Sequence, residues 1–200
     1  MIREIEDRPL VVAVCGSPGA GKTTVARATA LRLGLPLLSR DELKTGIGLS
    51  SASADFHIAG GPVSRQAEAV LVETSRLLAA SRVSFVVESS VLSPTLLAAL
   101  PDTRVLAVHV TAAEPVVGQR LRARTGPIAQ QLAAQFHRGD LAPSIFTPPS
   151  GVDATITVDT SDSTAPDIDP IEAAAIALLR RPPGHEVDQP ERSGPAAMPR

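Results

Sequence analysis

The sequence predicts a three-layer α/β fold built on a parallel sheet of about five strands with helices on both faces. Two observations carry that expectation. Short continuous apolar runs, such as LVVAVC at 10–15 and VSFVVE at 83–88, alternate along the chain with stretches of helical periodicity. A strand apolar at every position is buried on both faces, the condition of a parallel strand covered by crossover helices. In addition, 200 residues with 44% hydrophobic content amount to about one domain with enough apolar side chains for one core.

Taken in order, a first strand at 10–15 runs into a glycine-rich loop and then a helix from about Lys22 to Leu33, closed by Gly34. LPLLS at 35–39 reads as the second strand, and a short helix near 41–47 leads into the Gly/Ser-rich loop GLSSASADFHIAGGP. A long helix follows at about 63–81, where Val63, Ala67, Val70, Leu71, Leu77 and Leu78 fall near helical spacing. The third strand is VSFVVE. SPTLLAALP is a serine-capped helix ended by proline, TRVLAVHVT a fourth strand, and AAEPVVGQRLRART a helix with arginines near its end. A Pro-rich loop at 143–151 precedes the fifth strand, ATITVD, and the last helix runs roughly from Pro170 to Arg181. Residues 182–200, rich in Pro, Gly and charge, are expected to be a disordered tail on a domain spanning 1–181.

Composition narrows the possible functions. The net charge of −2 supplies no global basic field, and the only aromatics are four Phe, a poor inventory for stacking bases, so a nucleic-acid partner is disfavoured though not excluded. No apolar run is long enough to span a membrane and the charged N-terminus has no signal-peptide core, so a cytoplasmic location is expected. Cys15, the one cysteine, ends an apolar run and reads as a small packing residue. Asn is absent, which removes the Asn-Lys-x-Asp element that Ras-type GTPases use to read guanine, and no Asp is followed by Gly three positions later. Oligomeric state leaves no mark in the sequence.

The chemistry is concentrated at Gly16–Thr23, GSPGAGKT, which matches G-x-x-x-x-G-K-[ST] between an expected strand and an expected helix, the context of a phosphate-binding loop or Walker A motif. Glycine lets successive backbone N–H groups turn onto phosphate oxygens at a helix N-terminus. Gly16, Ser17, Pro18, Gly19, Ala20, Gly21, Lys22, Thr23 and Thr24 are therefore the expected nucleotide cradle. Lys22, expected on a surface loop, neutralises the β- and γ-phosphates, and the Thr23 hydroxyl serves Mg²⁺. Glu88, at the C-terminal end of the third strand, reads as a Mg²⁺ or metal-water partner, or else as a solvent-facing strand cap. FVVESS carries this single carboxylate where a mechanochemical ATPase shows a pair.

GSPGAGKTTVARATALRLGLPLLSRDELKTGI, LLAASRVSFVVESSVLSP and QRLRART together resemble the P-loop kinases of the AAA_33 type, a group similar to zeta toxin, polynucleotide kinase and chloramphenicol phosphotransferase. The resemblance covers roughly residues 10–160 and implies a P-loop NTPase fold with a helical lid, here about 118–140. It implies transfer of the γ-phosphoryl of ATP to an acceptor hydroxyl, with Asp41 after the second strand, Lys44 one helical step on, Glu88 where relatives often have Asp, and Arg120 and Arg124 as lid arginines.

Phosphoryl transfer independently needs a carboxylate to take the acceptor proton and cations on the developing charge. Asp41 fills the first role or caps the following helix. Lys44 and Arg40 hold an anionic acceptor or face solvent. Arg120 and Arg124 share a helix face and close on the phosphates or complement the helix dipole. His57 and His137 have no partners that point to metal ligation, and His109, in an apolar strand, reads as core. The expected protein is an ATP- and Mg²⁺-dependent kinase of a small-molecule hydroxyl. A 5′-hydroxyl polynucleotide kinase, an antibiotic phosphotransferase and a non-catalytic nucleotide-binding regulator are the alternatives.

Overall fold

The computed structural model describes residues 8–51, 58, 60–125, 127–162 and 165–180. Its centre is a five-stranded, all-parallel sheet in the order β2-β3-β1-β4-β5, formed by β1 (Leu10–Gly16), β2 (Leu37–Ser39), β3 (Phe85–Glu88), β4 (Arg104–Thr111) and β5 (Ala154–Asp159). The helices are α1 (Lys22–Leu33), α2 (Arg40–Ser51), α3 (Pro62–Ala80), α4 (Pro94–Ala98), α5 (Glu114–Ala123), α6 (Pro127–His137) and α7 (Asp169–Arg180).

The alternation of side chains along β1 creates the three layers. Val12 and Val14 face a cluster with Val25 and Ala26 of α1 and Ile171 and Ala175 of α7. Val11, Ala13 and Cys15 face the opposite cluster, with Leu71 of α3 and Leu96 of α4. Every residue of β1 is buried, so a strand with no polar face is satisfied only at the middle of a sheet covered on both sides. Cys15 is one of these packing residues, and burial pushes its thiol up to about 11. The connection from β3 to β4 passes over β1, so the C-terminal end of β1 lies where successive strands go to opposite sides, the place where ligands bind in open parallel sheets.

Several boundaries differ from expectation. β2 is only Leu37–Ser39, and α2 begins at Arg40 and continues to Ser51, past the expected end near 47, because Gly46 and Gly48 lower helix propensity without stopping the helix. α5 ends at Ala123, and a separate helix, α6, occupies part of the region expected as lid. α6 packs on α5: a Cβ added to Gly118 would lie 3.2 Å from Phe136 Cε1. The Pro-rich loop contains a short 3-10 turn at Pro143–Phe146. The last helix begins at Asp169, one residue early, and α4 is capped by Ser93, whose hydroxyl accepts from Leu96 N at 3.1 Å. The tail expected at 182–200 and His57 lie outside the described residues. Among the described residues no helix is long and apolar enough to cross a membrane.

Candidate functional site at the end of the first strand

β1 ends at Gly16 with φ 143°, a conformation open to glycine, and Gly19 (φ 86°) and Gly21 (φ 93°) continue the loop into α1. The entry is anchored from two strands. Ser89 N donates to Val14 O at 3.1 Å and Gly16 N to Ser90 O at 3.2 Å, tying the loop to the segment after β3. From the other side Thr160, just past β5, donates its hydroxyl to Ala20 O at 2.7 Å. The loop is thus tied on both sides to the ends of neighbouring strands.

Lys22 is the first residue of α1 and is only 8% exposed, which corrects the surface-loop expectation. Its Nζ donates to Ser17 O at 3.1 Å, folding the side chain back over the loop. Burial draws its pKa below the usual lysine value, with Glu88 and Asp41 opposing that shift. Glu88 is 2% exposed, which overturns the alternative of a solvent-facing strand cap. The register pairs it with Val14 on one side and Ser39 on the other, and Ser39 Oγ donates to its Oε2 at 2.6 Å. Burial raises the Glu88 pKa, while the Ser39 hydrogen bond and Lys22 act against the rise.

A cavity of about 250 Å³ opens over the loop. Its floor is Gly19, Gly21, Lys22, Thr23 and Thr24, and its far wall is Arg40, Asp41 and Lys44 from the first turns of α2. Ser64 of α3, Ser90 after β3, Arg124 after α5 and Gln131 of α6 also line it. Asp41 is exposed and lies inside the first turn of α2, one residue after the helix begins, so it does not cap the helix. Ser39, which precedes the helix, gives its hydroxyl to Glu88 instead.

Lys44 is buried rather than solvent-facing, and the Arg40 side chain is 25% exposed. Arg40 Nε donates to Glu68 Oε2 at 2.7 Å and its Nη2 to Ser64 Oγ at 2.9 Å, while its Nη1 stands 3.9 Å from Asp41 Oδ1. Lys44 is 8% exposed, its Nζ donates to Ile58 O at 3.3 Å, and burial lowers its pKa.

The two lid arginines separate. Arg124 lines the cavity with Asp41, whereas Arg120 lies behind the loop. Arg120 Nη1 donates to Thr160 Oγ1 at 2.9 Å and Gly19 O at 3.3 Å, and Nη2 to Thr160 O at 2.7 Å. A second cavity, of about 470 Å³, contains Arg120 and Arg124 together with Gly21, Thr160 and Pro166. His137 ends α6 with its ring edge-on to Phe136, and His109 on β4 is half-buried, its pKa lowered by burial. Among the described residues no group of three His, Cys, Asp or Glu side chains is arranged to hold a metal on its own. Ser39, Glu68 and Thr160 make contacts to the candidate residues that the sequence did not signal.

The family model of the AAA_33 AAA domain matches residues 11–148, the stretch from β1 through the 3-10 turn that contains the loop, Asp41, Glu88 and both arginines. The chain belongs to that family. Among individual proteins, this AAA_33 member is 40% identical over 78 residues to a shikimate kinase of Rhodopseudomonas palustris, covering 39% of this chain and 36% of that enzyme. The match thus spans about a third of that curated relative's length. Among solved structures, it is similar to a candidate kinase of Chloroflexus aurantiacus j-10-fl (TM-score 0.68, 24% identity, covering 86% of this chain and 99% of that one). It is also similar to the Mycobacterium tuberculosis APS kinase CysC in complex with AMPPNP and APS (TM-score 0.51, 18% identity, covering 87% and 99%). These likenesses show the fold, that of the P-loop kinases.

Proposed function

We propose that the protein is an ATP- and Mg²⁺-dependent phosphotransferase acting on the hydroxyl of a small molecule. The observation that carries this reading is the single cavity in which the phosphate loop, Lys22 and Arg124 face Asp41, Arg40 and Lys44. Nucleotide phosphates on the loop would put the γ-phosphate between the two groups of side chains.

In that arrangement Asp41 accepts the proton of the acceptor hydroxyl as its oxygen bonds to the γ-phosphorus. The bond from that phosphorus to the β,γ-bridging oxygen breaks, and ADP departs with the electron pair. Lys22 and Arg124 neutralise the charge on the transferring group, and the loop N–H groups bind its β-side neighbour. The second cavity, beside Arg120, Thr160 and Pro166, adjoins the same loop and would take the nucleoside end.

The residues fit a magnesium ion of the phosphate-bound kind. Thr23 follows the loop lysine, and Glu88 is a buried carboxylate with one oxygen held by Ser39, leaving the other for a metal-bound water. When bound, the ion would be held on the Thr23 and Glu88 side of the loop and would offset the negative charge of the phosphates.

Asp41→Asn is the test, because it keeps shape and polarity while removing the base. It should bind ATP with Mg²⁺ about as well as wild type, yet transfer labelled γ-phosphate to an accepted alcohol about a hundred- to ten-thousandfold more slowly. Full transfer by Asp41→Asn would remove Asp41 as base.

A further inference from the structure

We infer that the acceptor bound opposite the phosphate loop carries an anionic group, a carboxylate or a phosphate, gripped by Arg40 Nη1, and that Glu68 is the positioning residue that aims Arg40. This rests on the kinase reading above and deepens it by naming the acceptor class.

Among the described residues, four cationic side chains line the cavity, Lys22, Arg40, Lys44 and Arg124, against one lining carboxylate, Asp41. Lys22 and Arg124 stand on the nucleotide side. Arg40 and Lys44 are four residues apart on α2, hence on one helix face; Lys44 is buried and the Arg40 side chain is 25% exposed. Glu68 of α3 meets the Arg40 guanidinium, and its geometry is directional. Glu68 Oε2 accepts from Arg40 Nε, and Oε1 accepts from Ser93 Oγ at 2.9 Å. With both carboxylate oxygens engaged and Arg40 Nη2 on Ser64, the guanidinium has one orientation.

Nε and Nη2 are therefore spent on α3, and Nη1 is turned toward the Asp41 side of the cavity. At 3.9 Å, Nη1 and Asp41 Oδ1 are too far apart for a hydrogen bond, so Nη1 keeps donor capacity for a ligand. Asp41 remains free to act on a hydroxyl. The wall beside these groups is the N-terminus of the 19-residue helix α3, whose N-cap Gly61 offers no side-chain cap, and Gly60 and Ser64 line the cavity there. The positive end of that helix adds to the same field.

The experiment uses matched series of one carbon number: an aldose, its aldonic acid and its phosphate ester. Binding is measured by calorimetry with a non-hydrolysable ATP analogue and Mg²⁺, and transfer by labelled γ-phosphate. Wild type should favour the carboxylate or the phosphate member over the neutral sugar by about ten- to a hundredfold, and the stronger member identifies which anion is read. Arg40→Gln should bring that preference below about threefold. The Arg40→Gln/Glu68→Gln double variant, which leaves no unpaired carboxylate, should do the same with the fold kept. Glu68→Gln should raise KM for the anionic acceptor more than it lowers kcat. Equal binding of neutral and anionic members by wild type, no binding of any anionic member, or a preference surviving in the folded double variant would overturn the inference. Anion-selective binding with no transfer would uphold the anion site and remove the kinase reading. Transfer to neutral members alone would uphold the kinase and remove the anion site.

Discussion

Gly16→Ala tests the joint between sheet and phosphate loop. Gly16 pairs with Val110 across β1 and β4, and a Cβ at Gly16 would sit 2.1 Å from Val110 O. Reaching an ordinary 3.4 Å contact requires an opening of about 1.3 Å between two central strands, and the atom to be displaced is a backbone oxygen. The φ of 143° adds strain of about 1–3 kcal/mol for a residue with a side chain. The opening also pulls on the Gly16 N to Ser90 O bond and the adjoining ladder, where one or two lost hydrogen bonds cost about 0.5–1.5 kcal/mol each. The expected loss is about 2–5 kcal/mol, a large part of the ~5–15 kcal/mol that holds a domain together.

Gly34→Ala is the control. Gly34 also has positive φ, 66°, but an added Cβ would meet nothing within 4 Å. Its cost should be about 1 kcal/mol, the left-handed penalty less the entropy removed from the unfolded chain. Urea unfolding of both variants, compared at unchanged m, reads the difference directly. Thermal shift with ATP and Mg²⁺ shows whether the loop still binds, and only Gly16→Ala should lose that shift. Equal stability of the two variants, with ATP binding intact in both, would refute the reasoning from the β1–β4 contact.

Lys22→Ala should keep its fold, since it removes a buried cation whose pKa burial lowers, yet it should lose most of the melting-temperature rise that ATP with Mg²⁺ gives wild type. An undiminished rise would exclude Lys22 from phosphate binding. For Glu88 the sign follows from burial: a folded pKa raised above the unfolded one contributes stability below the ordinary carboxylate range, and that contribution is lost as pH rises through the folded value. Glu88→Gln, whose carbonyl can still accept from Ser39, should therefore be relatively more stable than wild type at pH 7 than at pH 4, while its ATP binding depends less on Mg²⁺. Denaturation at the two pH values, with ATP titrations at several Mg²⁺ concentrations, checks both halves. A Glu88→Gln protein relatively less stable at pH 7 would contradict the buried-carboxylate account.

The sequence by itself determined the layered α/β class and the phosphate loop, because both are written locally. Unbroken apolar runs such as 10–15, alternating with helical stretches, fit strands covered on both faces, and GSPGAGKT combines backbone freedom, a cation and a hydroxyl within eight residues. The candidate positions Asp41, Lys44, Glu88 and Arg124 were also legible, through strand ends and resemblance. Helix α6 was not, since its start at Pro127 reads equally as a loop and its packing partner is Gly118 on another helix.

Only the tertiary structure decided what these side chains touch. Ser39 meets Glu88 because β2 and β3 are in register across 49 residues of chain, Glu68 meets Arg40 because α3 returns beside α2, and Thr160 meets Arg120 because β5 ends behind the loop. Arg120 and Arg124, alike in sequence as lid arginines, are divided there, one hydrogen-bonded behind the loop and the other lining the cavity. Local sequence encodes conformational preference and burial, but a hydrogen bond between distant residues depends on strand order, register and helix placement. Those are settled by the packing of the whole core.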